Sequence, residues 1–157
     1  MNRKNLKIYG FWILLSEGVG ILSGLLSRAG TEAFGQTVAQ PPLSPPAILF
    51  PVVWTVLYAL MGIGAARVYM QPDSPARTRG LNLFVTQLVV NFFWSLIFFN
   101  AQAYGFAVIW LLLLWVLVIL MTLSFYKTDR PAALLQIPYI LWLTFAAYLA
   151  AGVWYLN

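Results

Sequence analysis

Residues 41–58 read PPLSPPAILFPVVWTVLY, and they pass from a polar loop into an apolar helix within a few residues. Pro45 and Pro46 fit a helix start, where the N–H groups they lack would be unpaired anyway. Ser44, just before them, is the expected N-cap. Pro51 comes later, inside the first turns, and is expected to free the carbonyl of Ala47. Lipid does not tolerate a free carbonyl, so this side should face protein or a water-filled cavity. Pro51, Trp54 and Tyr58 stand at i, i+3 and i+7 and share a face. A weakened backbone and two polar-tipped aromatics are thus expected on one inward side.

The rest of the chain has the same character. Of its 157 residues, 62% are hydrophobic and 8% charged, a balance that excludes an ordinary soluble domain. Five apolar runs follow one another, about 8–26, 46–69, 80–100, 104–126 and 131–156. Each approaches or exceeds the ~20 residues a helix needs to cross a bilayer. The expected fold is all-α, a single domain over 1–157 that forms an integral membrane bundle of five transmembrane helices.

Charge orients it. The N-terminus and the loops near 70–79 and 127–130 carry Arg3, Lys4, Lys7, Arg67, Arg77, Arg79, Lys127 and Arg130; the other side carries Arg28 alone. That bias puts the N-terminus in the cytoplasm, with the long 27–45 loop and Asn157 outside. The basic residues therefore report topology, and no nucleic-acid partner is expected. A basic start before an apolar run also describes a signal peptide, but Glu17 in its middle and the lack of an A-x-A site argue for a retained span.

Ser16, Gly20 and Gly24 form a small-xxx-small stripe on the first span. Its partner is either a neighbouring helix or a second copy of the chain, as in a homodimer. Glu17 is the one acid deep in a span, and such a residue is a functional candidate by default. Its blander reading is a neutral carboxyl bonded to a neighbouring helix; its sharper one is proton coupling in a small transporter.

On the third span, Gln87, Asn91, Trp94, Ser95 and Phe98 share one face, and buried amides need partners. On the fifth, Pro138 is expected to free the carbonyl of Leu134, with Trp142, Ala146 and Leu149 continuing the stripe. Helical rise puts Trp54 ~12 Å, Trp94 ~9 Å, Asn91 ~14 Å and Trp142 ~21 Å below the outer helix ends. They can line one cavity under the 27–45 loop. The alternatives are core packing or an interfacial aromatic belt, and the belt suits Trp12 and Trp154. The fourth span, with Leu111 to Leu114 and Trp115, is apolar all round and reads as lipid-facing scaffold.

Three stretches carry a resemblance: PPLSPP with FPVVWTVLY at 41–58, QLVVNFFWSLIFF at 87–99 and PYILWLTFAAYL at 138–149. In this order and spacing they resemble the translocator protein family, also called tryptophan-rich sensory proteins or peripheral-type benzodiazepine receptors. The resemblance implies a bacterial member in the inner cell membrane. It also implies binding of porphyrins such as protoporphyrin IX and of benzodiazepine- and isoquinoline-type ligands, with a role in tetrapyrrole transport or stress sensing. Carried over by motif, the ligand positions are Trp54, Tyr58, Asn91, Trp94, Ser95, Trp142 and Ala146; Phe98 joins them from its helix face.

The chain departs from the family's pattern at Phe34-Gly35, where Trp-Tyr is common, and at Gln40, Leu43 and Ala150. Mammalian members also bind cholesterol, but no Lys or Arg follows Tyr148, so the weak cholesterol pattern is missing.

Histidine and cysteine are both absent. Side-chain acid–base or nucleophilic turnover therefore has few players, and no metal or required cofactor is expected. The expected partners are the lipid bilayer and a porphyrin or other flat apolar molecule, bound as ligand. The rival readings are a light-dependent porphyrin-degrading enzyme, which the resemblance also suggests, and the proton-coupled transporter using Glu17.

Overall fold

The computed structural model describes all 157 residues. The chain is all-α: α1 (Arg3–Leu26), α2 (Arg28–Thr37), α3 (Leu49–Tyr69), α4 (Pro75–Ser95), α5 (Tyr104–Thr128), α6 (Arg130–Leu134) and α7 (Ile137–Leu156). A π-helical turn, Leu96–Asn100, continues α4. Five helical segments are long and apolar enough to cross a membrane: α1, α3, α4 with its π turn, α5, and α6 with α7.

Capping explains why two spans begin earlier than their apolar runs. The Asn5 N–H donates to Asn2 Oδ1 at 2.8 Å, which starts α1 among basic residues. The Arg77 N–H donates to Ser74 Oγ at 3.1 Å, with Pro75 opening α4. The long first loop is not all loop, since α2 occupies much of it.

The start of α3 corrects the sequence reading. The helix begins at Leu49, and Ser44 does not cap it; its hydroxyl turns back and donates to the Pro41 carbonyl at 2.7 Å. Pro51 then lies in the first turn, where no N–H would have an intrahelical partner. Ala47 keeps its acceptor role, receiving the Phe50 N–H at 3.3 Å. No carbonyl is freed there. Pro138 is likewise in the first turn of α7, and the fifth span is already broken at Leu135 and Gln136 before it.

The most extensive packing joins α4 to α5 and α1 to α3, followed by α5 to α7. The α1–α3 contact depends on Gly62. A Cβ there would lie 2.6 Å from Ile13 Cα and 2.8 Å from the Trp12 carbonyl oxygen, so only glycine lets these backbones meet. The predicted small-residue stripe divides. Ser16 is buried and Gly20 sits under the Tyr58 ring, whereas nothing approaches Gly24.

Two further expectations are overturned. The fourth span, α5, is not lipid-facing all round: Leu111, Leu114, Val118, Met121 and Phe125 make a fully buried face. Leu112, Leu113, Val116 and Leu120 make its outer face. Trp12 is no interfacial belt residue either, because it is buried against Tyr69 and Phe84. Trp154 is exposed.

At the basic end, Arg67 makes a bidentate pair with Asp129, Nε to Oδ2 at 2.8 Å and Nη2 to Oδ1 at 3.4 Å. Asp129 also caps α6 by accepting the Ala132 N–H at 3.1 Å, so one carboxylate ties α3 to the start of the fifth span. At the opposite end, α2 and the 38–48 segment fold across the helix ends.

Candidate functional site

The backbones of α3 and α7 barely approach one another, and aromatic rings fill the space between them. Trp54 and Tyr58 come from α3, Tyr139 and Trp142 from α7. The Trp54 ring lies 5.5 Å from Tyr58, 6.1 Å from Tyr139 and 6.5 Å from Trp142. Phe50 extends this layer toward the 38–48 segment, 5.7 Å from Trp142. Most of these contacts are tilted or edge-on, as ring quadrupoles prefer. The indole N–H of Trp142 is buried and has no hydrogen-bond partner.

Beside this layer runs a chain of buried polar groups. The Tyr58 hydroxyl donates to Asn91 Oδ1 at 2.7 Å, and Asn91 Nδ2 donates to the Tyr139 oxygen at 2.6 Å. Tyr139 donates onward to Gln87 Oε1 at 2.8 Å, and Gln87 Nε2 points at Met61 Sδ, 3.7 Å away. Each group donates to the next in one direction, so the chain is satisfied along its length. It links α3, α4 and α7. Asn91 is 6% exposed and Tyr139 1%, so water does not compete for these bonds.

A small, partly open chamber of about 60 Å3 lies between the aromatic layer and the 38–48 segment. Phe50, Trp94, Phe98 and Ala146 line it from the spans, and Phe34 and Pro41 from above. Trp94 stacks on Phe98 at 4.9 Å and donates its indole N–H to the Ala107 carbonyl at 3.1 Å, which fixes this wall to α5. The π turn lets Phe98 and Phe99 both face Phe34, at 5.4 and 5.2 Å. Single π-helical turns are rare, and those that occur inside α-helices frequently lie at functional sites. A wider recess of about 1030 Å3 opens on the surface at the start of α4, around Asp73, Thr78, Arg79 and Asn82. Leu83 is the one apolar residue in its lining, so it offers a flat apolar molecule little to pack on.

The sequence-selected residues therefore fall into two tiers. Trp94, Phe98 and Ala146 line the chamber, whereas Trp54, Tyr58 and Trp142 form the layer under it. Asn91 is different. Both atoms of its amide are committed to Tyr58 and Tyr139, so it acts first as the centre of the polar chain. Ser95 is half-buried on α4, lines no part of the chamber and makes no side-chain hydrogen bond. Glu17 is half-buried on α1 and forms neither an ion pair nor the expected bond to a neighbouring helix.

Sequence reasoning passed over Tyr139, Phe50 and Phe99. Tyr139 had a readable signal, since it is a phenol one turn after Gln136 in an otherwise apolar run. Phe50 and Phe99 had none, because phenylalanines are common throughout this chain.

Comparison with known proteins gives a consistent result. The family model described as TspO/MBR family matches residues 12–156. A "Tryptophan-rich protein TspO" from Chlorobaculum tepidum is 33% identical, covering 100% of this chain and 99% of its own length. A "Translocator protein" from Bos taurus is 30% identical, over 92% of this chain and 86% of the relative. A "Tryptophan-rich sensory protein" from Cereibacter sphaeroides is 32% identical, over 68% and 66%.

Proposed function

The chain belongs to the TspO/MBR family, and from that premise we propose that it binds a flat, largely apolar tetrapyrrole of the protoporphyrin class between α3, α4 and α7. Family membership and five apolar helices make it a multi-pass membrane protein in contact with lipid, and membership supports a translocator or sensor role. The observation that carries the ligand proposal is the layer of aromatic rings that separates the backbones of α3 and α7. Rings packed edge-on in a gap can tilt to take a planar guest, and they would present π-faces to it. The same surface suits benzodiazepine- and isoquinoline-type molecules. No cofactor is required in this reading; the porphyrin is ligand.

The basic end is proposed to face the cytoplasm of a bacterial inner membrane, which places the chamber near the outer surface. The experiment is a titration of the purified protein with protoporphyrin IX, followed by tryptophan fluorescence. Saturable quenching is expected. It should be weakened in Trp142→Ala and preserved in Trp115→Ala, whose indole bonds to Thr144 at 3.0 Å away from the layer. Equal weakening by both substitutions would place the ligand elsewhere.

A further inference from the structure

The wider recess at the start of α4 takes no part in the proposed porphyrin site. Three arginines reach this end of the bundle from α3 and α4. Arg67 is held by Asp129 at 2.8 Å. Arg77 is held by Asp73 at 2.8 Å, donates to the Tyr69 carbonyl at 2.7 Å and lies over the Tyr69 ring. Arg79 is exposed and has no ion pair. It lines the recess together with Thr78 and Asn82. Asp73 lines it too, but Arg77 neutralises that carboxylate, so the recess keeps one net positive charge.

The face of α4 that carries these groups changes character along its length. Thr78, Asn82 and Thr86 stand at i, i+4 and i+8. Val85, Val89 and Phe93, each seven residues further on, continue the same stripe. All six are exposed. The Thr86 hydroxyl donates to the Asn82 carbonyl at 2.8 Å, whereas the Thr78 hydroxyl and the Asn82 amide bond to no other group of the chain. The membrane-crossing segment Pro75–Asn100 has 26 residues. That is ~39 Å of helix against ~30 Å of hydrocarbon, so its first turns stand among headgroups. Asn82, ~10 Å along the axis from Pro75, reaches the boundary with the hydrocarbon. Cation, hydroxyl and amide thus precede an apolar track, in the order in which a phospholipid presents phosphate, ester and chain.

We infer that this face of α4 binds an anionic phospholipid of the leaflet at the basic end, a monoanionic phosphodiester of the phosphatidylglycerol class. Arg79 and Thr78 hold the phosphate, the Asn82 amide donates to an ester carbonyl, and one acyl chain lies along Val85, Val89 and Phe93. A guanidinium presents parallel N–H donors that match two phosphate oxygens. The single net charge of the recess suits one phosphodiester, and basic groups beside a span draw anionic lipid. None of these residues lines the chamber, so the lipid and a porphyrin do not compete.

The test is native mass spectrometry of the whole protein released from detergent, with phosphatidylglycerol or phosphatidylcholine of equal chain length added. One phosphatidylglycerol adduct per chain is expected, at higher occupancy than phosphatidylcholine. Arg79→Ala should weaken it about fivefold, the loss expected for one basic group at a membrane surface. Arg79 is exposed, so this variant should melt like the unmodified protein without lipid and lose the stabilisation that phosphatidylglycerol gives. Arg130→Ala removes the same charge from the same end, where that guanidinium lies over the Tyr126 ring, and should leave the adduct unchanged. Equal weakening by the two substitutions would reduce the binding to diffuse surface charge and overturn the inference. Glycerol phosphate, which has the phosphate but no chains, should not displace the lipid at equal concentration; displacement would make this a site for free phosphate and overturn it too. So would a lipid-free dimer that Asn82→Leu disrupts, because the face would then be an interface between copies of the chain.

Discussion

Tyr58 donates its hydroxyl to Asn91 Oδ1 at 2.7 Å, and through Asn91 the bond continues to Tyr139 on α7. The amide that sequence alone offers to a ligand is therefore already engaged in joining three helices. Tyr58 is itself placed by Gly20, whose missing side chain leaves room for the phenol ring. Four of the five spans thus meet at one polar chain, and its cost when broken should exceed that of any single aromatic contact.

Asn91→Leu should accordingly act on stability. It leaves the Tyr58 donor without an acceptor and the Tyr139 oxygen without a donor, both buried. Each unmet group costs about 1–3 kcal/mol. Thermal melts in detergent should show a clear drop for Asn91→Leu and a smaller one for Tyr58→Phe, which removes one hydroxyl. An unchanged melt with abolished porphyrin binding would make Asn91 a ligand contact instead.

Gly62→Ala and Gly24→Ala are predicted to differ sharply. The first drives a methyl group into the α1 backbone at Ile13 and Trp12; the second adds one where nothing lies within 4 Å. Overpacking of this kind costs about 1–3 kcal/mol. Melting temperature and monodispersity should fall for Gly62→Ala and hold for Gly24→Ala. Similar behaviour of the two variants would mean that α1 and α3 are not held by this contact.

The difference between these glycines was not legible in sequence, and the reason is physical. Ser16, Gly20 and Gly24 repeat at helical spacing, whereas Gly62 and Gly64 stand two residues apart and form no such repeat. Periodicity identifies a face only where polarity varies around the helix. The third span varies, and its Gln87–Asn91 face was readable; α5 does not, and its buried face was hidden. The five spans themselves were legible because length and hydropathy are read directly against bilayer thickness. The start of α3 was misread because Ser44 has two possible acts, capping forward or bonding back to Pro41, and the backbone turn at Leu43 selects the second.

The proposed orientation rests on the charge asymmetry and can be tested by labelling. A thiol introduced by Gln36→Cys should react with an impermeant reagent in intact cells, and one introduced by Ser74→Cys should react only after permeabilisation. Arg67, Arg77, Lys127 and Arg130 lie at the Ser74 end, and Arg28 at the other. The reverse labelling pattern would turn the chamber toward the cytoplasm.

Light separates a binding protein from an enzyme. The resemblance implies that some relatives degrade porphyrin under illumination, using tryptophans near the pocket, and Trp142 stands at one such position. Its indole N–H is free of protein partners, and Trp54 is 6.5 Å away. What is missing is the loop tryptophan. Phe34 occupies that place in the chamber roof, and a phenyl ring is harder to oxidise than an indole. The unmodified protein should therefore bind protoporphyrin IX and bleach it little faster than free porphyrin does. Phe34→Trp should restore part of the photochemistry, with Trp142→Phe removing that gain. The measurement is loss of porphyrin absorbance under constant illumination, against a dark control. Fast, protein-dependent bleaching by the unmodified chain would show that Trp142 and Trp54 suffice, and that the enzyme reading is the correct one.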